Sequence, residues 1–364
     1  MVNLPPSFLI SLYSNQKKKI LKRFSEDYIN FDIQHEKIEP LKLWDISFGF
    51  PLFNAAGMFK KGESYYTIAK QGAGAYLSGT TTSSKRLGNF KNGVLHPFAP
   101  FPSSGASVNW MGLPNEGHQI VAKRLSQLQK IQNCPIGASL SASPEERGIE
   151  GLENLKIGMD LYKEANVDFI EINESCPNVE EGHQIDNNSL DEDLINRLEY
   201  ISMNFLKNRD KNLPVIVKFS NDTDLSLVPN IIDNLISLGF DGVNFGNTST
   251  KYEESIDMIK DKEKKLFQYF TENYGGGLSG KLLSTTSLNL VKTGSNHLKT
   301  KKLSKEFHII RTGGVCSIED IKNSLNNGAS ICQWYNGYFS EFSKYGHQVY
   351  NHFKKEYKSI SQKA

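Results

Sequence analysis

Cysteine is scarce. Cys134, Cys176, Cys316 and Cys332 are the only four in 364 residues, and they stand far apart. With no CxxC pair, neither a zinc spacing nor a disulfide framework can be drawn, so no metal is expected and a reducing compartment fits best. No apolar run reaches the length needed to cross a bilayer, and no signal-peptide core leads the chain. The expected location is the cytoplasm, with peripheral contact to the inner face of the cell membrane left open. A strong excess of either charge is missing too. The net charge is +2, so no global field calls for nucleic acid, and the basic–aromatic interleaving of single-strand binders is absent. Nor does the first strand run into the GxGxxG turn of open dinucleotide-binding sheets. What is present is a globular composition, 38% hydrophobic and 23% charged with 29 glycines, enough for one large domain or two.

From about Leu43 short apolar runs alternate with longer amphipathic ones. The strand runs are DISFGFPLFNAAG, AGAYLSGTTT, CPIGASLSA, VDFIEINESCPN, PVIVKFSND, DGVNFGNTS, FHIIRTGG and ASICQWYNG. Helical patterns include GHQIVAKRLSQLQKIQ, LDEDLINRLEYISMNFLKN, LVPNIIDNLISLG and SIEDIKNSLNNG, the last with a serine at its start and Gly328 past its end. Near-continuous apolar strands, each followed by helix or loop, predict an α/β fold, a TIM-type (β/α)8 barrel over residues 41–364. Residues 1–40 stand outside the pattern. PPSFLISLY and KKKILKRFSEDYI read as two short amphipathic helices, either capping the barrel floor or lying apolar side down on anionic lipid.

In such a barrel the chemistry gathers at the carboxyl ends of the strands. Asn54, Thr80, Ser139, Asn173, Lys218, Asn247, Gly313 and Tyr335 fall there. In IEINESCPN the lone Cys176 sits where the fourth strand stops. It has no metal partners at a usual spacing and no well-placed histidine, which leaves the role of general base, with Ser175 beside it to relay or orient. Asn109, Asn173, Asn178 and Asn247 offer amides that complement a cyclic imide such as a pyrimidine. Lys218 closes an apolar strand and could stabilise negative charge or form a Schiff base; Lys60 follows the first strand. The glycine pairs of YGGGLSGK and RTGGVCS, with QWYNGYF after the eighth strand, fall where these barrels cradle phosphate. A phosphorylated cofactor is expected there, and FMN fits.

These residues make the chain similar to the dihydroorotate dehydrogenases, flavin barrels of pyrimidine (UMP) synthesis. NAAGMFKKGE, GTTTSSKRLGN, VNWMGLPNEG, INESCPN, VIVKFSND, NTST, GGLSGK, RTGGV and GASICQWYNG occur in the family's order from Leu43 to the C-terminus. The resemblance implies a dihydroorotate–orotate reaction, with Cys176 taking the C5 proton while a hydride leaves for FMN. It implies substrate contacts from Lys60, Asn109, Met111, Gly112, Asn173, Asn178, Asn247 and Thr248. The flavin would be lined by Ala56, Gly57, Thr80, Ser139, Asn173 and Lys218, also by Thr248. Its phosphate would be held by Gly277, Gly313, Gly314, Tyr335 and Asn336.

Class signals are mixed. The cysteine base and MGLPN resemble the soluble, fumarate-using class, whereas the quinone-using class carries serine. The soluble class has a lysine where Gly79 stands and lacks the Lys60 position; the quinone class has an arginine where Trp110 stands. The N-terminal extension favours a quinone acceptor over fumarate. A Schiff-base aldolase, a non-catalytic binding barrel and a dehydrogenase for another dihydropyrimidine are alternatives. The assembly is expected to be a monomer or homodimer.

Overall fold

The computed structural model describes residues 4–26, 33–146, 148–174, 192–209 and 212–361. Eight of the apolar runs pair as one sheet, and every ladder in it is parallel. The strands are β1 (Leu52–Asn54), β2 (Tyr76–Thr81), β3 (Ile136–Leu140) and β4 (Phe169–Asn173). They continue as β5 (Val215–Phe219), β6 (Gly242–Phe245), β7 (His308–Thr312) and β8 (Ile331–Trp334). Their spatial order is β1-β8-β7-β6-β5-β4-β3-β2. Each falls within a run read from the sequence, and the (β/α)8 barrel is formed as expected.

A side chain closes the seam between β1 and β2. Asn54 accepts from the Leu77 N–H at 3.1 Å and donates to the Leu77 carbonyl at 2.7 Å, standing in for a ladder step. Sequence position put Asn54 among the mouth residues; it is instead fully buried and committed to β2. Asn54→Leu would orphan two buried backbone groups. Because each costs about 1–3 kcal/mol, the expected loss for the two is about 2–6 kcal/mol, read as a lower denaturation midpoint.

Strand alternation sorts the barrel interior into layers. Phe53, Leu77, Phe169, Ile216, Ile310 and Ile331 fill the lower part. A hairpin of Leu41–Leu43 and Ile46–Phe48 plugs it from below. Trp44 and Asp45 turn that hairpin with φ of 51° and 62°, which suits the twist of a two-residue connection, and the Trp44 indole donates to the Asp241 carbonyl at 3.0 Å. One layer higher the interior becomes polar, with Glu171, Lys218, Asn244, Thr312 and Gln333 all buried. Outward-facing residues such as Ile170, Ile172 and Val217 pack beneath the helices.

The four helical patterns appear at His118–Leu125, Glu192–Asn204, Val228–Leu238 and Ile318–Asn326. Ser317 caps the last of these by accepting from the Asp320 N–H. The first ends sooner than its pattern, where Ser126 turns its hydroxyl back onto the Lys123 carbonyl.

The N-terminal expectation needs two corrections. One continuous helix, Pro6–Glu26, replaces the two short ones. No glycine or later proline interrupts it, and Ser14 satisfies its hydroxyl within the helix on the Ile10 carbonyl at 2.7 Å. Nor does it cap the floor, which the hairpin already fills. It lies across the mouth, where Ile10 joins a second apolar cluster with Val108 and Phe267 and Phe24 joins the main core. A three-stranded antiparallel sheet of Phe98–Phe101, Ala106–Asn109 and Gly277–Gly280 stands beside it.

Candidate active site

A cavity of about 810 Å³ opens at the carboxyl ends of the strands, inside the range of small-molecule sites. The expected Ala56 and Gly57 line it after β1. At the end of β2 a bulge between Ser78 and Thr81 re-aims the chain and brings Thr80 into the wall. The Thr80 hydroxyl lies 3.0 Å from the Ser139 Oγ. Ser139 itself is fully buried below and does not reach the wall.

Three of the four expected asparagines, Asn109, Asn173 and Asn247, converge on this cavity. Asn173 donates to Thr80 Oγ1 at 3.1 Å, and Asn247 donates to Asn173 Oδ1 at 3.2 Å. These bonds join the ends of β2, β4 and β6 in one amide row. Met111 is in the wall beside them. Gly112 is not: at φ 69° it packs against Asn89, whose Oδ1 would stand 2.0 Å from any Cβ there. Thr248 also lines the cavity, and its buried hydroxyl has no hydrogen-bond partner among the described residues.

The far end is built from backbone. Gly313 and Gly314 take φ of 99° and 77°, and a Cβ on Gly314 would meet the Ser284 nitrogen at 2.4 Å. The buried Arg311 holds this loop through Ser287: its Nε donates to the Ser287 hydroxyl at 3.0 Å, which donates to the Gly313 carbonyl at 2.7 Å. Tyr335 and Asn336 face the same cavity, and Asn336 opens the helix Asn336–Tyr345. The first N–H groups of a helix lack internal partners and favour anions. Gly277 stays outside the wall, where its neighbours Ser279 and Gly280 take the place expected of it.

Both expected lysines, Lys60 and Lys218, line the cavity. A third, Lys17, comes from the N-terminal helix together with Tyr13, Gln16 and Ile20. Its ammonium lies 4.0 Å from the Phe98 ring centroid and 5.3 Å from that of Tyr335. Removal from water pushes the Lys17 ammonium down to about 7. His96, nearby, is pushed down to about 4, first by burial and then by the charges of Lys60, Lys18 and Lys17.

Cys176, Ser175 and Asn178 lie outside the described residues. Glu174, just before them, is held by an ion pair to Arg197 at 2.8 Å and by its N–H on the Lys218 carbonyl at 3.1 Å.

Two contributions were missed in the sequence. Lys17 sits in a run of three lysines, and nothing local tells which of them turns inward. Glu171 did carry a signal, being a carboxylate between apolar neighbours in FIEIN.

Comparison with known proteins gives a consistent answer. The family model described as dihydroorotate dehydrogenase matches residues 40–360. A dihydroorotate dehydrogenase (quinone) of Nautilia profundicola is 31% identical over 300 residues, covering 81% of this chain and 72% of that protein. One from Wigglesworthia glossinidia brevipalpis is 25% identical and covers 91% and 94%. In fold, the crystal structure of DHODH from Eimeria tenella in complex with ferulenol superposes with a TM-score of 0.78 at 19% identity, covering 96% of this chain and 91% of that one.

Proposed function

The chain belongs to the dihydroorotate dehydrogenase family, and on that footing we propose that it oxidises dihydroorotate to orotate for UMP synthesis, with FMN as its flavin and a membrane quinone as electron acceptor. The observation that carries this is the meeting of three amides, a buried lysine and a glycine-built end in one cavity.

The residues suit the flavin. The lone Thr248 hydroxyl needs a partner, the Gly313–Gly314 backbone can approach a phosphate closely, and Lys218 sets a positive charge within the wall. A flavin held there would supply the acceptor for the hydride leaving C6 of dihydroorotate. Cys176 takes the C5 proton as general base, with Ser175 orienting it. Asn109, Asn173 and Asn247 read the pyrimidine edge through paired donors and acceptors, and Lys60 attracts the substrate carboxylate.

Several features favour quinone over fumarate. Gly79 has no room for the lysine of the fumarate-using class: at φ 107°, a Cβ would stand 2.2 Å from the Ser139 carbonyl. The Trp110 position leaves the acceptor question to other residues, since Trp110 is buried in the second apolar cluster. The N-terminal helix supplies part of the wall instead. On that helix Phe8 and Leu12, four residues apart, are exposed, as is Leu4 just before it, and Lys18, Lys19 and Lys22 follow along the same helix. Such a stripe beside cations suits peripheral contact with anionic lipid. No helix among the described residues is long and apolar enough to cross a membrane.

Turnover of dihydroorotate with a ubiquinone analogue, fumarate and NAD in parallel tests this reading. Quinone is expected to sustain the fastest reaction. Fumarate outrunning quinone would overturn the acceptor assignment, and dihydrouracil matching dihydroorotate as reductant would overturn the substrate.

A further inference from the structure

The wall cation Lys218 does not stand alone. One layer deeper, Glu171 of β4 is fully buried, with its Oε1 3.7 Å from the Lys218 Nζ. Its other oxygen accepts two amide hydrogen bonds, from Asn244 Nδ2 at 2.8 Å and Gln333 Nε2 at 2.6 Å. An ionised carboxylate can only accept, so both amides must turn their NH₂ groups toward it. Their carbonyl oxygens are thereby aimed the other way. Gln333 Oε1 accepts from Lys218 Nζ at 3.3 Å. The Thr312 hydroxyl lies 2.9 Å from Asn244 Oδ1 and 3.1 Å from Gln333 Oε1. Lys218, Thr312 and Gln333 reach the cavity, whereas Glu171 does not.

Glu171 Oε1 makes no hydrogen bond of its own. A buried carboxylate oxygen without a hydrogen bond is costly unless a charge compensates it, and the Lys218 ammonium is the nearest cation recorded for it. A structural carboxylate would be satisfied on both oxygens. This one leaves an oxygen facing the cation.

We propose that Glu171 is a positioning residue for Lys218: it orients the Gln333 amide that receives the ammonium, and as counter-charge it limits the field the lysine places on the cavity. The inference rests on the reading that the cavity binds a flavin. Two-electron reduction puts negative charge on the flavin, which Lys218 stabilises. With Glu171 ionised beneath it, that stabilisation is partial. Neutralising Glu171 strengthens it, whether through loss of the opposing charge or because the new amide pushes the ammonium toward the mouth. Both effects have the same sign.

The experiment is the midpoint potential of the bound flavin in the purified holoprotein, measured for the parent, Glu171→Gln, Lys218→Met and the double variant. Glu171→Gln is expected to shift the reduction equilibrium at least tenfold toward the reduced form, about 30 mV for a two-electron couple. In the Lys218→Met background the same substitution is expected to shift it little, because no ammonium is left whose position and field Glu171 sets. A merely structural role would lower thermal stability and leave both readings unmoved. A flavin-bearing Glu171→Gln protein with the parent's potential, or an equal shift with Lys218 absent, overturns the proposal alone. A parent protein that takes up no flavin overturns the family reading and this proposal together. Should Glu171→Gln not fold, the double variant decides: recovery of folded, yellow protein on removing the second charge supports the pairing, and no recovery overturns it.

Discussion

Replacing Cys176 with alanine is expected to slow flavin reduction by dihydroorotate by about 10²–10⁴-fold, the usual worth of a positioned base, while flavin content and orotate binding stay near those of the parent. The expectation follows from where the cysteine falls in the chain. β4 delivers Asn173 into the amide row, and Glu174 is fastened by Arg197 and by the Lys218 carbonyl. The backbone is thus fixed at the point where the segment carrying Ser175 and Cys176 departs. On the proposed mechanism alanine removes only the proton acceptor, so binding and chemistry separate cleanly. Anaerobic mixing with dihydroorotate, followed by flavin absorbance, reads the rate. Full-speed bleaching in the alanine variant would remove Cys176 from the mechanism.

Deleting residues 1–39 is expected to abolish quinone turnover yet leave measurable reduction of the flavin by dihydroorotate. Tyr13, Gln16, Lys17, Ile20 and Leu21 of the N-terminal helix line the cavity, so its removal opens the wall there. The pyrimidine-reading amides come from the barrel and the three-stranded sheet, so they remain. Thermal stability should fall as well, since Ile10 and Phe24 are buried in the two clusters they join. Normal quinone turnover by the shortened protein would assign the helix another task.

The sequence announced the barrel clearly because each strand is buried on both faces, and a two-sided burial writes an unbroken apolar run. The rim asparagines were legible for a related reason, since polar residues ending such a run have few other uses. What stayed hidden depends on distance along the chain or on direction. Asn54 looks like any rim amide until its partner, the backbone of Leu77, is seen across the seam. Gly112 lies in a loop and Gly277 at the start of a strand beside the site, but the turn at φ 69° and the neighbours of Gly277 decide which residue faces inward. PPSFLISLY and KKKILKRFSEDYI read as two N-terminal helices, whereas Ser14 between them is content inside one.

The sheet beside the mouth has a bearing on synthesis. Gly277 to Gly280 pair with Ala106 to Asn109, and the Asn109 amide itself reaches the Gly277 carbonyl at 3.4 Å across 168 positions. A ribosome emits the first partner long before the second. Until the later segment clears the exit tunnel, Asn109 pairs with the Phe98 strand alone, so a nascent chain can present six of its eight barrel strands with this edge of the mouth still open.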